Sequence, residues 1–370
     1  MQQKVPDYIY SIKPYKPGKP IEELEREYGI SDSIKLASNE NPLGPSPMAA
    51  EAMQSSIASL HRYPDGSGYR LTRKLAEKLG TAPDKIVLGN GSDEVIGMLC
   101  RALLTSGDAA VMSAPSFLMY EILVRSVGAT PVFVPLRELA VDLEAMLSAV
   151  TENTRMVFIN NPNNPTGTFI RKSEIEEFLR RLPPSVTVVL DEAYIEFSRD
   201  PDCVNGLSLL AEYPQVALLR TFSKAYGLAG IRIGYGVMEA ELAGLLHRVR
   251  QPFNTSSLAQ AAAAAALDDE AFLERTLQLV ATEVDFLRRE LGRMGLRCFP
   301  TQANFFLIDV EADADQVFEK MLRQGVIVRS MVSYGYPQYI RVNAGTREEN
   351  LRFLQAMKTV IGPKGAGGAA

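Results

Sequence analysis

"VALLRTFSKAYGLAGIRIGYGV" (residues 216–237) joins two short apolar runs through a loop of small residues and glycines. The runs VALL and IRIGYGV each have the length and composition of a buried β-strand. The loop holds one lysine, Lys224, preceded by Thr221 and Ser223. Because α/β sheets bind ligands at the carboxyl ends of their strands, the position of Lys224 just after a strand predicts a ligand contact.

Five more apolar runs precede this stretch, separated by helical patterns: KIVLGN, AAVMSAP, TPVFVPL, TRMVFINN and SVTVVLDE. Strands that alternate with helices predict an α/β fold, here a mostly parallel seven-stranded sheet flanked by helices on both faces. Two of the helices carry start signals. We expect Ser92 to cap a helix that ends just before Gly107, and Ser173 to cap another.

The pattern changes along the chain and predicts four segments. Residues 1–44 are rich in proline and show little periodicity, which indicates an extended N-terminal arm and loop. Residues 45–265 make up the large α/β domain, and residues 266–362 make up a smaller α+β domain of strand, helix, short strands and helix. The Gly/Ala-rich tail, residues 363–370, is expected to be disordered.

Composition favours small-molecule chemistry. The 370 residues carry a formal net charge of −5 and a pI near 5.4, so there is no basic footprint for nucleic acid or an anionic membrane. No stretch reaches the roughly 18 apolar residues of a membrane span, and the N-terminus lacks the apolar region of a signal peptide. We therefore expect a cytoplasmic protein.

Histidine and cysteine are too sparse for several enzyme classes. The chain has two histidines and three cysteines, and no two of the cysteines form a CxxC pair. A histidine-based triad or a zinc site is therefore disfavoured, and we expect no metal. The cysteines, Cys100, Cys203 and Cys298, are expected to fill the core.

The segment GNGSDE (residues 89–94) is a glycine-rich turn that leads from a strand into a helix. The third glycine of a dinucleotide-binding fingerprint would fall on Glu94, so an NAD site is not predicted. The free backbone N–H groups at Ser92 and Asp93 and the positive end of the helix dipole suit a phosphate. By itself the segment is equally compatible with a structural turn.

Two further strands end in polar side chains. NNPNNPTG (residues 160–167) places Asn164 on a loop stiffened by prolines, and SVTVVLDEAYIEF (residues 185–197) presents Asp191 and then Tyr194. A buried carboxylate is costly unless it meets a cation or a strong donor, so Asp191 requires a partner. A structural turn and a structural ion pair remain the alternatives at these two sites.

Lys224 and these groups together match the parts of a single ligand. A partly desolvated lysine has a lowered pKa, and its neutral amine can form a Schiff base with a carbonyl. Gly227 and Gly230 are expected to let the backbone fold tightly around it, and Arg232 offers a guanidinium that matches a phosphate. An aldehyde, a phosphate and a cationic ring nitrogen that needs a carboxylate together describe pyridoxal 5′-phosphate (PLP).

NNPNNPTG, LDEAYIEF and RTFSKAYGLAGIRIGY, together with LHRYPDG and GNGSDEVI, occur in the order and spacing of a known family. With them the chain resembles the fold type I PLP-dependent aminotransferases, and most closely the histidinol-phosphate aminotransferases, from about residue 8 to residue 360. FSKAYGLAGIRIGY is specific to that subfamily, whereas NPNNPTG is shared more widely.

The resemblance implies a role for each matching residue. The catalytic residues would be Lys224, which forms the Schiff base, Asp191 on the pyridine nitrogen, and Tyr194. The other cofactor contacts would be Ser92, Asp93, Phe117, Asn164, Thr221, Ser223, Arg232 and, reaching the neighbouring subunit of a homodimer, Tyr63. The substrate contacts would be Tyr15, Asn39, Arg329 and Arg341.

Two of these residues carry a qualification. For Arg329 a plain surface charge remains an alternative. Phe117 departs from the family pattern, because many relatives carry tyrosine there; stacking on the cofactor ring survives the change, and a hydroxyl contact is lost.

The implied reaction is reversible amino transfer between L-histidinol phosphate and 2-oxoglutarate, giving imidazole-acetol phosphate and glutamate, in histidine biosynthesis. An aromatic amino acid aminotransferase and a threonine-phosphate decarboxylase on the same scaffold are the nearest alternatives. A PLP-sensing regulator is disfavoured because the non-basic arm leaves no room for a DNA-binding domain. A non-PLP nucleotide-binding protein is disfavoured by the failed glycine fingerprint.

Overall fold

A computed structural model describes residues 4–15 and 18–362, so the predicted disorder of residues 363–370 falls outside the described residues. The N-terminal arm contains helices α1 (Asp7–Tyr10) and α2 (Ile21–Tyr28) and the short strand β1 (Ile34–Lys35). The expectation of an extended arm is therefore wrong for the two helices.

Helix α2 forms because its apolar residues recur at helical spacing. Ile21, Leu24 and Tyr28 belong to one apolar cluster with Leu322 and Ile327 of the C-terminal region, and Leu24 is fully buried there. Two helical turns between Pro20 and Gly29 give too short a pattern to stand out in the sequence. Tertiary packing, more than intrinsic propensity, stabilises such a short helix.

A seven-stranded sheet forms the centre of the large domain, as predicted. Its strands are β2 (Ile86–Gly89), β3 (Ala109–Ala114), β4 (Thr130–Pro135), β5 (Thr154–Asn160), β6 (Thr187–Asp191), β7 (Val216–Thr221) and β8 (Gly234–Val237). The spatial order is β2-β8-β7-β6-β5-β3-β4. Strand β8 runs antiparallel to β2 and β7, and the other neighbours are parallel.

Helices cover both faces of this sheet. They are α3 (Pro47–Ser56), α4 (Tyr69–Leu79), α5 (Ser92–Leu103), α6 (Met119–Ser126), α7 (Leu143–Ser148), α8 (Lys172–Arg181), α9 (Ala240–Val249) and α10 (Ser257–Ala266). Alternate residues of β5 show the two layers, since Phe158 lies in one apolar core with α5 and α6, and Val157 lies in another with α8. The predicted helix, sheet, helix architecture is confirmed.

The C-terminal region packs helices against a small antiparallel sheet. Its elements are α11 (Glu270–Arg293), β9 (Arg297–Cys298), β10 (Phe305–Asp309), α12 (Ala314–Arg323), β11 (Val326–Ile327), β12 (Arg329–Ser330), β13 (Tyr339–Asn343) and α13 (Arg347–Ile361). The sheet order is β12-β13-β10-β9, and β11 instead pairs in parallel with β1 of the arm. The domain boundary predicted near residue 265 stays a prediction, close to the end of α10.

Two helix starts differ from the sequence expectation. Helix α5 begins at Ser92 with Gly91 as its N-cap, and it ends four residues before Gly107. Gly91 has φ 76°, a left-handed conformation that favours glycine, so the turn geometry and not the serine sets the start. Helix α8 begins at Lys172, which places Ser173 inside its first turn and not at its cap.

The structure also bears on the expectations for the cysteines and for membrane-spanning helices. Cys100 is buried in the core and Cys298 packs against it, whereas Cys203 is half-buried beside the amide of Asn161. Within the described ranges, no helix combines the length and apolar character needed to cross a membrane.

Candidate active site

A pocket lies where the carboxyl ends of the parallel strands, the arm and the small antiparallel sheet meet. It is lined by every residue that the sequence predicted for catalysis, cofactor or substrate, with the exception of Tyr63. Residues spread from position 15 to position 341 thus come together at the edge of the sheet where α/β proteins bind ligands.

Lys224 stands at the centre of the pocket, three residues beyond the end of β7. Its Nζ donates a hydrogen bond to the carbonyl oxygen of Ser38 in the arm, at 3.0 Å. Burial, assisted by the positive charge of Arg341, lowers the pKa of the Lys224 amine to about 8, although Glu40 and Asp93 oppose the shift. About a tenth of the amine is therefore neutral and nucleophilic at pH 7, far more than for an ordinary lysine with a pKa of about 10.4.

The loop after Lys224 touches the arm backbone to backbone. Gly227 has φ 70°, and a Cβ at this position would overlap the carbonyl oxygen of Gly44. Next to it, the side-chain amide of Asn41 donates to the carbonyl oxygen of Ala225 at 2.9 Å. Gly230 is different, because a Cβ there would meet nothing within 4 Å, so the expected steric need for glycine at that position is wrong.

Asp191 is 3% exposed at the end of β6 and finds its partner in a tyrosine. Its Oδ2 accepts from the hydroxyl of Tyr120 at 2.6 Å, and its Oδ1 accepts from the backbone N–H of Ala193 at 3.1 Å. Burial raises the pKa of Asp191 to about 6, and these two hydrogen bonds oppose the rise. Among the described residues Asp191 forms no ion pair, so the structural ion pair considered above is absent there.

Arg232 and the start of α5 meet at one corner of the pocket. The guanidinium lies 3.4 Å from both Ser223 Oγ and Asp93 Oδ2, and it packs so closely on Gly91 that a Cβ at that position would overlap it. Arg232 itself has φ 60°, a strained conformation for a residue with a side chain. A guanidinium beside a hydroxyl and the free N–H groups of a helix start suits a phosphate.

Arg341 lies on the opposite wall and is 6% exposed. Its Nη1 donates to Asn164 Oδ1 and its Nη2 donates to the carbonyl oxygen of Ala37 at 2.8 Å. Within residues 4–15 and 18–362, its Nε has no hydrogen-bond partner. In the pairing of β12 with β13, Arg329 stands directly opposite Arg341. Both guanidinium groups line the pocket, and cationic side chains there favour an anionic ligand.

Tyr194 and Asn39 connect this wall to the strand ends. The Asn39 side-chain amide donates to the Tyr194 hydroxyl at 3.0 Å, and burial raises the pKa of Tyr194 to about 12, so the hydroxyl stays protonated. Asn39 is held in a left-handed conformation, φ 55°, by hydrogen bonds from its backbone N–H to Asn343 and from Asn304 to its carbonyl. Sequence reasoning missed Asn304 and Asn343, and no motif marks either of them.

Of the remaining predicted residues, Phe117 and Tyr15 line the pocket and Tyr63 does not. Tyr15 is 47% exposed at the mouth. Tyr63 lies elsewhere and is 83% exposed, with its ring stacked on Phe253 at 4.7 Å. A role for Tyr63 at a neighbouring subunit's site stays a prediction.

A mixed seven-stranded sheet with this small C-terminal sheet is the architecture of the fold type I aminotransferases. The sequence pattern of the aminotransferase class I and II family matches residues 31–357. The chain belongs to that family.

Similar relatives narrow the comparison. The chain is 49% identical over 360 residues to the histidinol-phosphate aminotransferase of Desulfotalea psychrophila, covering 96% of this chain and 95% of the relative. It is 45% identical over 359 residues to the histidinol-phosphate aminotransferase of Moorella thermoacetica, covering 97% and 93%.

Solved structures agree in fold. The histidinol-phosphate aminotransferase of Sinorhizobium meliloti in complex with pyridoxal-5'-phosphate superposes with a TM-score of 0.89 at 30% identity, covering 98% of both chains. The aspartate aminotransferase of Thermus thermophilus with maleate gives a TM-score of 0.84 at 23% identity, covering 97% of this chain and 100% of the other, and shows the fold alone.

Proposed function

We propose that this protein is a PLP-dependent histidinol-phosphate transaminase. It transfers an amino group reversibly between L-histidinol phosphate and 2-oxoglutarate, giving imidazole-acetol phosphate and glutamate, in histidine biosynthesis. The observation that carries the proposal is the meeting of the Lys224 amine, the Asp191 carboxylate and three guanidinium groups, those of Arg232, Arg329 and Arg341, in one pocket. The 49% identity to a relative of that name supports the substrate.

The pocket fits PLP group by group. Lys224 matches the aldehyde, Asp191 matches the ring nitrogen, and Arg232 with the start of α5 matches the phosphate. The overlap that a side chain at Gly91 would create with Arg232 supports this fit, because the corner leaves space only for backbone beside the guanidinium. When bound, PLP supplies an aldehyde for the substrate amine and a ring that accepts electrons from the substrate's α-carbon.

Lys224 is the residue that moves the proton. As a neutral amine with a pKa of about 8, it can take the proton from the substrate's α-carbon and later return it. A positioned general base of this kind is worth about 10²–10⁴-fold in rate. Asp191, as a buried carboxylate, holds the positive charge of a protonated ring nitrogen.

Arg341 and Arg329 select the substrate by its anionic end. L-histidinol phosphate carries a phosphate and 2-oxoglutarate carries a distal carboxylate, so one pair of guanidinium groups can hold both substrates in turn. The Nε of Arg341 supports this role, since no acceptor in the described part of the chain contacts this buried donor, which a ligand oxygen could accept from. Tyr15 at the mouth would close over the bound substrate.

We also propose a homodimer with shared sites and a cytoplasmic location. Support for the dimer comes from exposed apolar side chains near Tyr63, namely Ile57, Leu60, Tyr69 and Phe253, each more than 40% exposed. Mixing a Lys224→Ala protein with a Tyr63→Ala protein tests it, because a mixed dimer would own one complete site. Activity should reappear on mixing; a mixture as inactive as its two parents would count against shared sites.

The decisive test is a transamination assay with purified protein, comparing L-histidinol phosphate and phenylalanine as donors to 2-oxoglutarate. We expect a much higher kcat/KM for L-histidinol phosphate, with one glutamate formed per donor consumed. A higher kcat/KM for phenylalanine would assign an aromatic aminotransferase. Amine formation from threonine phosphate without glutamate would assign a decarboxylase.

A further inference from the structure

Tyr120 in α6 is a fully buried residue that the sequence did not single out. Its hydroxyl donates to Asp191 Oδ2 at 2.6 Å, and the other carboxylate oxygen accepts only the backbone N–H of Ala193. Within the described residues, Tyr120 is therefore the one side chain that donates to this carboxylate. A buried acid held by a single hydroxyl depends on that hydroxyl for its orientation and its charge.

The Tyr120 ring is clamped between two aromatic rings. It stacks on Phe158 of β5 with centroids 4.7 Å apart, and it meets Phe117 edge to face at 5.5 Å. Burial raises the pKa of Tyr120 well above its usual value, so the hydroxyl remains a donor. This packing fixes the hydroxyl against Asp191, and it joins Asp191 to Phe117 through one rigid side chain.

The groups around Asp191 differ in the charge state that they favour. Burial, Asp93 at the start of α5 and Glu192 directly after Asp191 all favour the protonated acid, whereas the hydrogen bonds from Tyr120 and Ala193 favour the ionised form. Further groups that line the same pocket are Tyr194, Thr221, Lys224 and Arg232. Of the contacts that keep Asp191 ionised, the Tyr120 hydroxyl contributes most.

We propose that Tyr120 is a positioning residue whose hydroxyl keeps Asp191 ionised and oriented toward the ring nitrogen of the cofactor. The proposal rests on the proposed function for the identity of that nitrogen, while the coupling between hydroxyl and carboxylate exists without any cofactor. Only an ionised Asp191 can pair with a protonated ring nitrogen. Tyr120 consequently lowers the pH at which Asp191 loses its charge.

The first experiment uses the cofactor-free protein. Tyr120→Phe removes one oxygen and keeps the aromatic stack. Carbon-13 NMR of labelled aspartate, with the Asp191 signal assigned by Asp191→Asn, should show the Asp191 pKa rising by roughly one unit or more. The matched control is Tyr213→Phe, a buried tyrosine outside the pocket, which should leave this titration unchanged. An unchanged or lower Asp191 pKa in Tyr120→Phe would overturn the proposal.

The second experiment uses the loaded enzyme. In Tyr120→Phe cofactor affinity should fall, and the loss should grow as the pH is lowered and Asp191 becomes protonated. In an Asp191→Asn background, the same substitution should not reduce cofactor affinity further. An equal loss of affinity in both backgrounds would mean that Tyr120 acts through packing alone and would overturn the proposal. If the wild-type protein fails to transaminate, the proposed function fails, while the NMR titration still decides the coupling.

Discussion

The two walls of the pocket are built in different ways. On the sheet side, Asp191 and Lys224 stand at or just beyond the ends of the neighbouring strands β6 and β7. On the other side, tertiary hydrogen bonds hold Asn39 of the arm and Arg341 of β13, such as those from Arg341 Nη2 to the carbonyl oxygen of Ala37 and from the Asn39 backbone N–H to Asn343. The predicted catalytic residues therefore lie at local strand ends, whereas the predicted substrate contacts are brought together by the assembly of the arm and the small sheet. Substitutions on the two walls should differ accordingly.

Lys224→Ala should have the largest effect. The substitution removes both the predicted covalent partner of the cofactor and the general base, so kcat should fall by at least about 10²–10⁴-fold and the visible absorbance of the bound cofactor should change. Steady-state kinetics and absorbance spectra measure this. Lys172→Ala, an exposed lysine at the start of α8, serves as the control and should behave like wild type. A near wild-type rate in Lys224→Ala would remove Lys224 from the mechanism.

Arg341→Ala tests the other wall. Charge-assisted hydrogen bonds are worth enough that kcat/KM for L-histidinol phosphate should fall by about 10–100-fold, mainly through KM. Cofactor affinity, measured by titration, should change much less than in Lys224→Ala. Arg180→Ala, an exposed arginine of α8, is the control. If Arg341→Ala instead released the cofactor and left KM unchanged, the division of labour between the walls would be wrong.

The pH response of Lys224 gives a smaller, graded effect. Below a pKa of about 8 the neutral fraction of the amine rises about tenfold per pH unit. In the cofactor-free protein, reaction of Lys224 with a neutral aldehyde should therefore rise about tenfold between roughly pH 6 and 7, and level off above about pH 8. Peptide mapping by mass spectrometry after borohydride reduction follows the reaction.

The unfolded chain provides the comparison for that experiment. In urea the same amine should return to a pKa of about 10.4, so its reaction rate should keep rising beyond pH 9. Coincident profiles for folded and unfolded protein would show that the pocket does not lower the pKa.

Tyr15→Phe should have the smallest effect. Tyr15 is 47% exposed at the mouth, so loss of one neutral hydrogen bond to substrate should raise KM by about 2–10-fold. kcat and the cofactor spectrum should stay the same. Tyr10→Phe, a more exposed tyrosine of the arm, is the matched control. A changed cofactor spectrum in Tyr15→Phe would mean that Tyr15 acts on the cofactor and not on the substrate, contrary to this prediction.

The sheet side was predictable from sequence because strand ends are local features. An apolar run followed at once by Asp191, or by Thr221, Ser223 and Lys224, marks both the strand and the residue that leaves it. The structure places all of these side chains in the pocket, although their individual roles stay predictions. The helix start at Ser92 was misjudged by one residue, since the left-handed conformation of Gly91 cannot be read from a capping preference.

The rest could not be predicted because its signals are not local. Tyr120 reaches Asp191 across 71 residues of sequence, and Asn304 reaches Asn39 across 265. In each case the role of a buried polar residue depends on a distant partner that only the tertiary fold brings into contact with it. Arg329 and Arg341 were singled out by resemblance alone, and their cross-strand pairing depends on the register of β12 and β13.

The backbone contact between Gly227 and Gly44 has a consequence for the range of sequences that this chain can accept. Any side chain at position 227 must push the arm away from the loop that carries Lys224. That movement would loosen the hydrogen bonds from Lys224 to Ser38 and from Asn41 to Ala225. In a scan of all single substitutions, position 227 should thus tolerate replacement as poorly as the lysine beside it, although Gly227 has no side chain and performs no chemistry.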